Sequence, residues 1–251
     1  MHKRLLWIFA PILTAGICAL PATASAAAAS CTPAGAINLS TDWKLTLPTG
    51  SSGSPIEVKQ PQLASYSASP WFAATADCGG IQFRAAVNGT TTSNSGYPRS
   101  ELREMSGSGA NLASWSTTSG THTMIVDEAI THVPASKPEI VAGQIHDASS
   151  DLTAFRLKGR SLYVSSGNNS TYKLVTANYQ PGTWFEAKFV VSGGKVKAYY
   201  NGVLQTTISS KSKTNYFKAG AYTQANCGNS SPCAASNYGE VVINHLSVTH
   251  S

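Results

Sequence analysis

Short runs in which apolar and polar residues alternate, separated by turn residues, fill most of this chain, and they constrain its fold more than any other feature. DWKLTLP, GIQFRAAV, THTMIVDEAITHV, EIVAGQIH, TAFRLKGRSLYVSS, YKLVTANY, NYFKAGAYTQ and EVVINHLSVTH all carry the pattern. Successive side chains of a strand point to opposite faces, so a period of two marks strands with one buried face. Asn88-Gly89, Gly159, Gly167-Asn168, Gly193-Gly194 and Asn201-Gly202 punctuate the runs. VVSGGKVKAYYNGVLQTTI reads as consecutive hairpins, because Gly-Gly and Asn-Gly supply the positive φ that tight hairpin turns need. Long helical periodicity is absent, and residues 60–63 offer at most one short helix. The expectation is an all-β fold, a sandwich or jelly roll of antiparallel sheets.

The first residues read differently. A basic start, MHKR, precedes the apolar LLWIFAPILTAGICAL and a small-x-small end at Ala24-Ser25-Ala26. That is the pattern of a secretory signal peptide over residues 1–26, leaving 27–251 as a single domain. Removing Lys3 and Arg4 takes Lys+Arg from 18 to 16 against 12 acids, a net charge of +4. A basic secreted protein suits an acidic polymer, although charge alone does not choose among polyuronate, sulfated glycan and nucleic acid. Cys18 leaves with the signal. Cys31, Cys78, Cys227 and Cys233 remain, and four thiols in a secreted chain predict two disulfides. Of three possible pairings the reading favours Cys227–Cys233, which bracket the turn-rich CGNSSPC, with Cys31–Cys78. Sequons stand at Asn38, Asn88, Asn168, Asn169 and Asn229.

Three segments load one face with chemistry. In PRSELREM, alternation puts Arg99, Glu101 and Arg103 on one face and Ser100, Leu102 and Glu104 on the other. The glutamate can hold both guanidinium groups, and an arginine row held so suits a ligand's carboxylates. Taken alone, the row reads as a structural salt-bridge strip. In GQIHD, Gln144 and His146 share a face, an amide donor beside an imidazole that can move a proton. In NYFKAGAYTQ, Tyr216, Lys218, Gly220, Tyr222 and Gln224 share a face, with the glycine leaving room for a ligand. His122, His132, His245 and His250 lack the spacing of a metal site. The Gly/Ser/Thr/Asn-rich stretches on either side of the arginine segment, VNGTTTSNSGY and SGSGANLASWS, read equally as lids or as plain surface loops.

At these three segments the chain closely resembles the alginate lyases of polysaccharide lyase family seven. RSELRE at 99–104, QIH at 144–146 and YFKAGAYTQ at 216–224 match that family's signature regions in order, and DWKLTLPTG and the closing strand look similar too. The resemblance implies a β-jelly roll of two antiparallel sheets with a concave groove for the polymer. It also implies β-elimination at the 1,4-linkage of a uronate, leaving an unsaturated sugar at the new non-reducing end. Carried over by motif, Arg99, Gln144, His146 and Tyr222 form the catalytic group, and Glu101, Arg103, Tyr216, Lys218 and Gln224 support or bind substrate. An isoleucine in the middle of QIH is associated in that family with guluronate-containing blocks.

The chemistry fits these residue types. Neutralising the C6 carboxylate lets it accept charge as the C5 proton leaves. Arg99 and Gln144 suit that task. Tyr222 suits the acid that protonates O4; for mannuronate it can serve as base as well, whereas for guluronate His146 is the better-placed base. A phenol is a weak base at neutral pH, so Arg99 and Lys218 would have to stabilise its phenolate. No metal or cofactor is called for, and the expected protein is a monomer whose partner is an anionic polysaccharide, alginate, with neither nucleic acid nor membrane involved. A retaining glycosidase would want paired acids at alternate strand positions; Asp127-Glu128 is adjacent and diverges. A lyase on another polyuronate such as glucuronan, or a non-catalytic carbohydrate-binding jelly roll, remains open at this point.

Overall fold

The computed structural model describes residues 31–167 and 170–251. The expected signal sequence at 1–26, and the expected turn and sequons at Asn168 and Asn169, lie outside the described residues. A short helix, α1 (Pro33–Ala36), comes first, with Pro in its first turn and Thr32 as its N-cap. The strands follow in chain order: β1 (Trp43–Ser51), β2 (Ser54–Val58), β3 (Phe72–Ala74), β4 (Ile81–Ala86), β5 (Arg99–Ser106), β6 (Asn111–Leu112), β7 (Thr121–His132) and β8 (Glu139–His146). Then come β9 (Asp151–Lys158), β10 (Ser161–Ser165), β11 (Thr171–Thr176), β12 (Trp184–Ser192), β13 (Lys195–Tyr200), β14 (Val203–Ser209), β15 (Tyr216–Thr223) and β16 (Tyr238–His250). One turn of 3-10 helix at Gln62–Ala64 stands where a short helix was expected.

Two antiparallel sheets face each other. One runs β11-β10-β9-β8-β15-β5-β1-β2, with β6 paired to β5, and the other runs β14-β13-β12-β7-β16-β4-β3. Alternation decides which side chains lie between them: along β12 burial switches at every residue, with Phe185, Ala187, Phe189 and Val191 inside. Trp43, Phe72, Phe83, Phe155, Phe189 and Phe217 fill the interior. Burying aromatic and branched side chains from both inner faces is what binds the sheets. The two expected hairpins are present; Gly193 and Gly194 join β12 to β13, and Asn201 and Gly202 join β13 to β14, all four at positive φ. Both favoured disulfides are formed, Cys31–Cys78 and Cys227–Cys233.

Candidate active site

The three segments read separately in the sequence are hydrogen-bonded neighbours in the first sheet, in the order β8, β15, β5. Lys218 pairs with Arg103, Gly220 with Glu101 and Tyr222 with Arg99. On the other side Tyr216 pairs with His146 and Lys218 with Gln144. Their polar faces form the floor of a groove of about 430 Å³, lined by Arg99, Arg103, Gln144, His146, Tyr216, Lys218 and Tyr222 among others. Ile145, on the opposite face, is fully buried in the core, as alternation requires.

Glu101 is the electrostatic hub under that floor. It is fully buried, and its carboxylate takes Arg99 Nη1 at 3.2 Å, Lys218 Nζ at 2.5 Å and the Gln144 side-chain amide. Burial alone would raise its pKa, but Lys218 and Arg99 outweigh that and hold it below the ordinary value. Burial, reinforced by Arg99, brings Lys218 down to about 8. Glu101 does not hold both arginines, contrary to the sequence expectation. Lys218, directly opposite Arg103 in the register, takes the second place at Glu101, whereas the Arg103 guanidinium lies over the Tyr216 ring at 3.8 Å. Arg99 Nε and Arg103 Nη1 are buried donors without a partner. Both arginines line the groove, where the planar guanidinium fork suits a ligand carboxylate.

His146 and Tyr222 lie along the same groove. His146 Nδ1 is 2.6 Å from the Asp147 carbonyl, which can only accept, so Nδ1 carries the proton and Nε2 keeps its lone pair in the neutral ring. Burial, then the charge of Lys218, lowers the His146 pKa below its usual value, so the ring is neutral at neutral pH. Tyr216 stacks on His146 with its hydroxyl 3.1 Å from Nδ1, and burial raises its pKa, which keeps it a phenol. The Arg99 guanidinium lies 3.9 Å over the Tyr222 ring, and Lys218 Nζ lies 6.0 Å from it. The groove therefore offers a neutral imidazole, a phenol and two carboxylate receptors to one ligand.

Two expected residues sit elsewhere. Glu101 lies wholly beneath the groove and supports it. Gln224 is outside the groove: β15 ends at Thr223, the alternation stops there, and the Gln224 side chain is fully buried with its amide 3.5 Å from the Tyr222 carbonyl. Sequence reasoning also missed lining residues. Lys44 and Thr46 of β1 and Glu57 of β2 extend the floor, with Lys44 and Glu57 paired at 2.5 Å. For Lys44 and Thr46, the alternation in DWKLTLP carried that signal. Thr92, Asn94 and Ser95 come from the stretch VNGTTTSNSGY. The stretch SGSGANLASWS borders a separate cavity of about 350 Å³ instead, with Glu104, Trp115, His122 and His250. There both Glu104 oxygens and all four imidazole nitrogens already have partners, so that cavity holds a closed structural network.

The chain as a whole is similar to several known proteins. A family model described as alginate lyase matches residues 37–250. An alginate lyase from Corynebacterium sp. is 62% identical, with a TM-score of 0.86 over 88% of this chain and 98% of that one. Alginate lyase AlgAT5 from polysaccharide lyase family 7 is 45% identical, with a TM-score of 0.82 over 88% of this chain and 100% of that one. A family 7 alginate lyase, A1-II', carrying His-to-Asn and Tyr-to-Phe substitutions and bound to the substrate GGMG, is 26% identical, with a TM-score of 0.71 over 88% of this chain and 97% of that one. Among curated proteins there is no match.

Proposed function

The chain belongs to the alginate lyases of polysaccharide lyase family 7, and on that premise we propose that it cleaves the 1,4-linkages of alginate by β-elimination from the groove on β5, β8 and β15. One observation carries this reading: a neutral imidazole, a phenol and two guanidinium groups line one groove. Arg99 and Gln144 neutralise the C6 carboxylate, so the enediolate-like intermediate is stabilised where its charge develops. His146 Nε2 takes the C5 proton. The C–H electron pair forms the C4=C5 double bond, the C4–O4 bond breaks toward O4, and Tyr222 gives O4 its proton. Glu101 holds Arg99, Lys218 and Gln144 in place, and Arg103, braced on Tyr216, binds a neighbouring uronate. Solvent resets both proton carriers.

With base and acid on separate strands, the pair suits guluronate, whose C5 proton and O4 lie on opposite sides. We therefore read guluronate-containing blocks as preferred. The relative's His-to-Asn, Tyr-to-Phe variant bound to GGMG supports the pairing of these two residue types at a lyase site. The two disulfides support export from the cytoplasm, and with it the reading of residues 1–26 as a secretory signal.

The test is ultraviolet absorbance of the unsaturated product on alginate, polyguluronate, polymannuronate and glucuronan. Turnover should be fastest on polyguluronate. Tyr222→Phe and His146→Asn should each lower kcat by about 100-fold or more. Near-normal turnover by Tyr222→Phe would sink the mechanism. Arg103→Ala should raise KM more than it lowers kcat; a loss confined to kcat would contradict its binding role.

A further inference from the structure

The Tyr222 hydroxyl lies 2.9 Å from the Ser95 hydroxyl, which belongs to none of the three strands. Ser95 stands in the connection between β4 and β5, and its Oγ has two more contacts. It accepts the backbone N–H of Tyr97 at 3.1 Å, and it donates to the Tyr97 carbonyl at 3.2 Å. A serine hydroxyl has one proton and two lone pairs. The carbonyl takes the proton and the N–H takes one lone pair, so the remaining lone pair faces Tyr222. With the Ser95 proton on the Tyr97 carbonyl, Tyr222 is the donor in the bond between the two hydroxyls.

That wiring points the phenol proton along a defined direction and ties the ring hydroxyl to a fixed point. Three bonds in turn anchor the segment that carries Ser95. Asn226 Nδ2 donates to the Gly96 carbonyl at 2.9 Å, Lys137 Nζ donates to the Tyr97 hydroxyl at 2.9 Å, and the Thr223 N–H donates to the Pro98 carbonyl at 3.1 Å. We propose that Ser95 is a positioning residue for Tyr222, holding the phenol in place at rest and donating to the phenolate once its proton has gone to the leaving oxygen. The proposal rests on the reading of Tyr222 as the acid.

The proton balance is complete without any further group. The Tyr222 hydroxyl turns its proton from Ser95 to the leaving oxygen, the Tyr222 O–H bond breaks as O4–H forms, and the phenolate is left without its bond to Ser95. Ser95 then turns its own proton from the Tyr97 carbonyl to the phenolate and remains a neutral alcohol. It gives up a long neutral hydrogen bond for a charge-assisted one, which is about twice as strong. Arg99 over the ring and Lys218 beyond it supply positive charge but lie at the ring, and Ser95 is the partner at the oxygen itself.

Ser95→Ala should lower kcat on polyguluronate by about 10- to 100-fold. KM should stay within about twofold, since the bond matters after substrate is bound. The thermal midpoint should fall by only a few degrees, because the three anchoring bonds remain while those of the Ser95 hydroxyl are lost. Ser95→Thr keeps the hydroxyl and should restore most of the turnover. Adding Ser95→Ala to Tyr222→Phe should cost nothing further, since the group it serves is gone. The proposal is overturned if Ser95→Ala turns over normally, if its loss lies in KM, or if it lowers the residual rate of Tyr222→Phe by the same factor. It is also overturned if Ser95→Thr is as slow as Ser95→Ala. A normal rate for Tyr222→Phe itself would instead remove the mechanism beneath it, so the two failures are told apart.

Discussion

Glu101 and Glu128 are both fully buried carboxylates, and their surroundings treat them in opposite ways. Two cations and an amide surround Glu101 and keep it ionised. Glu128 points from β7 between the sheets toward Gly143, neither oxygen makes a hydrogen bond of normal geometry, and burial together with the charge of Asp127 pushes its pKa up to about 8. Between the ordinary value of 4.5 and about 8, the folded protein holds a proton that the unfolded chain has lost. Stability therefore falls as pH rises through that window and is flat above it. Glu128→Gln does not titrate, so its stability relative to the parent should improve from pH 5 to pH 9 by a few kcal/mol, of the order that a shift of this size implies. Urea unfolding at the two pH values measures this, and an equal difference at both would refute it. His146 has the same logic in activity. Its lowered pKa keeps the base neutral in mild acid, so the acid limb of the kcat/KM profile should lie below 6.5. A limb at or above that value would mean that His146 is not the base. Glu128 was legible in the sequence only as one of an adjacent Asp-Glu pair, because its surroundings, among them Gly143 fifteen positions further on, come from another sheet.

At the scale of elements, β15 is where the site is made. It runs in register with β5, but it falls out of step with β8 between Lys218 and Tyr222, and Gly220 occupies that interval at φ +131. A Cβ there would lie 2.7 Å from the Ser100 carbonyl oxygen and 3.0 Å from Glu101 Cα, so both the backbone angle and the space require glycine. Gly220→Ala should lower stability by about 1–3 kcal/mol. It should also lower kcat, because the neighbour that must shift is the hub Glu101. A fully active, fully stable Gly220→Ala protein would show that the strand tolerates the displacement. Period-two patterning made the faces of β5, β8 and β15 legible, since each is a strand with one buried side. Alternation did not make their adjacency legible, because strands 99–106, 139–146 and 216–223 meet through long-range pairing that it leaves unspecified; only the family resemblance put them in one site. Gln224 was misplaced for a related reason: alternation holds only while the strand lasts. Ser95 gave no periodic signal, because it belongs to a connection held by Asn226, Lys137 and Thr223.

Across the whole molecule, two disulfides fasten different things. Cys31–Cys78 closes 47 residues and ties the chain ahead of α1 to the connection between β3 and β4, and neither cysteine lines the groove. Cys227–Cys233 closes 6 residues, and its neighbour Asn226 holds Gly96 next to Ser95. The pairing was legible because four cysteines and one tight turn-rich loop leave few choices. The division of labour was not, because it depends on where the small loop touches the segment at 90–97. The longer loop should matter most to stability, since cross-linking restricts the unfolded chain more as the loop grows. Cys31→Ser/Cys78→Ser should lose about 4 kcal/mol, and Cys227→Ser/Cys233→Ser about 2 kcal/mol. Activity should order them the other way. With the small loop open, Asn226 loses its fixed position, the Ser95 segment loosens, and Tyr222 loses the partner at its oxygen. Cys227→Ser/Cys233→Ser should therefore show a lower kcat at temperatures where it is fully folded, and Cys31→Ser/Cys78→Ser should keep its turnover until it unfolds. Urea unfolding and initial rates on polyguluronate, run without reductant on both double variants, decide the point. If both lose turnover only in step with stability, the small disulfide has no part in holding the site.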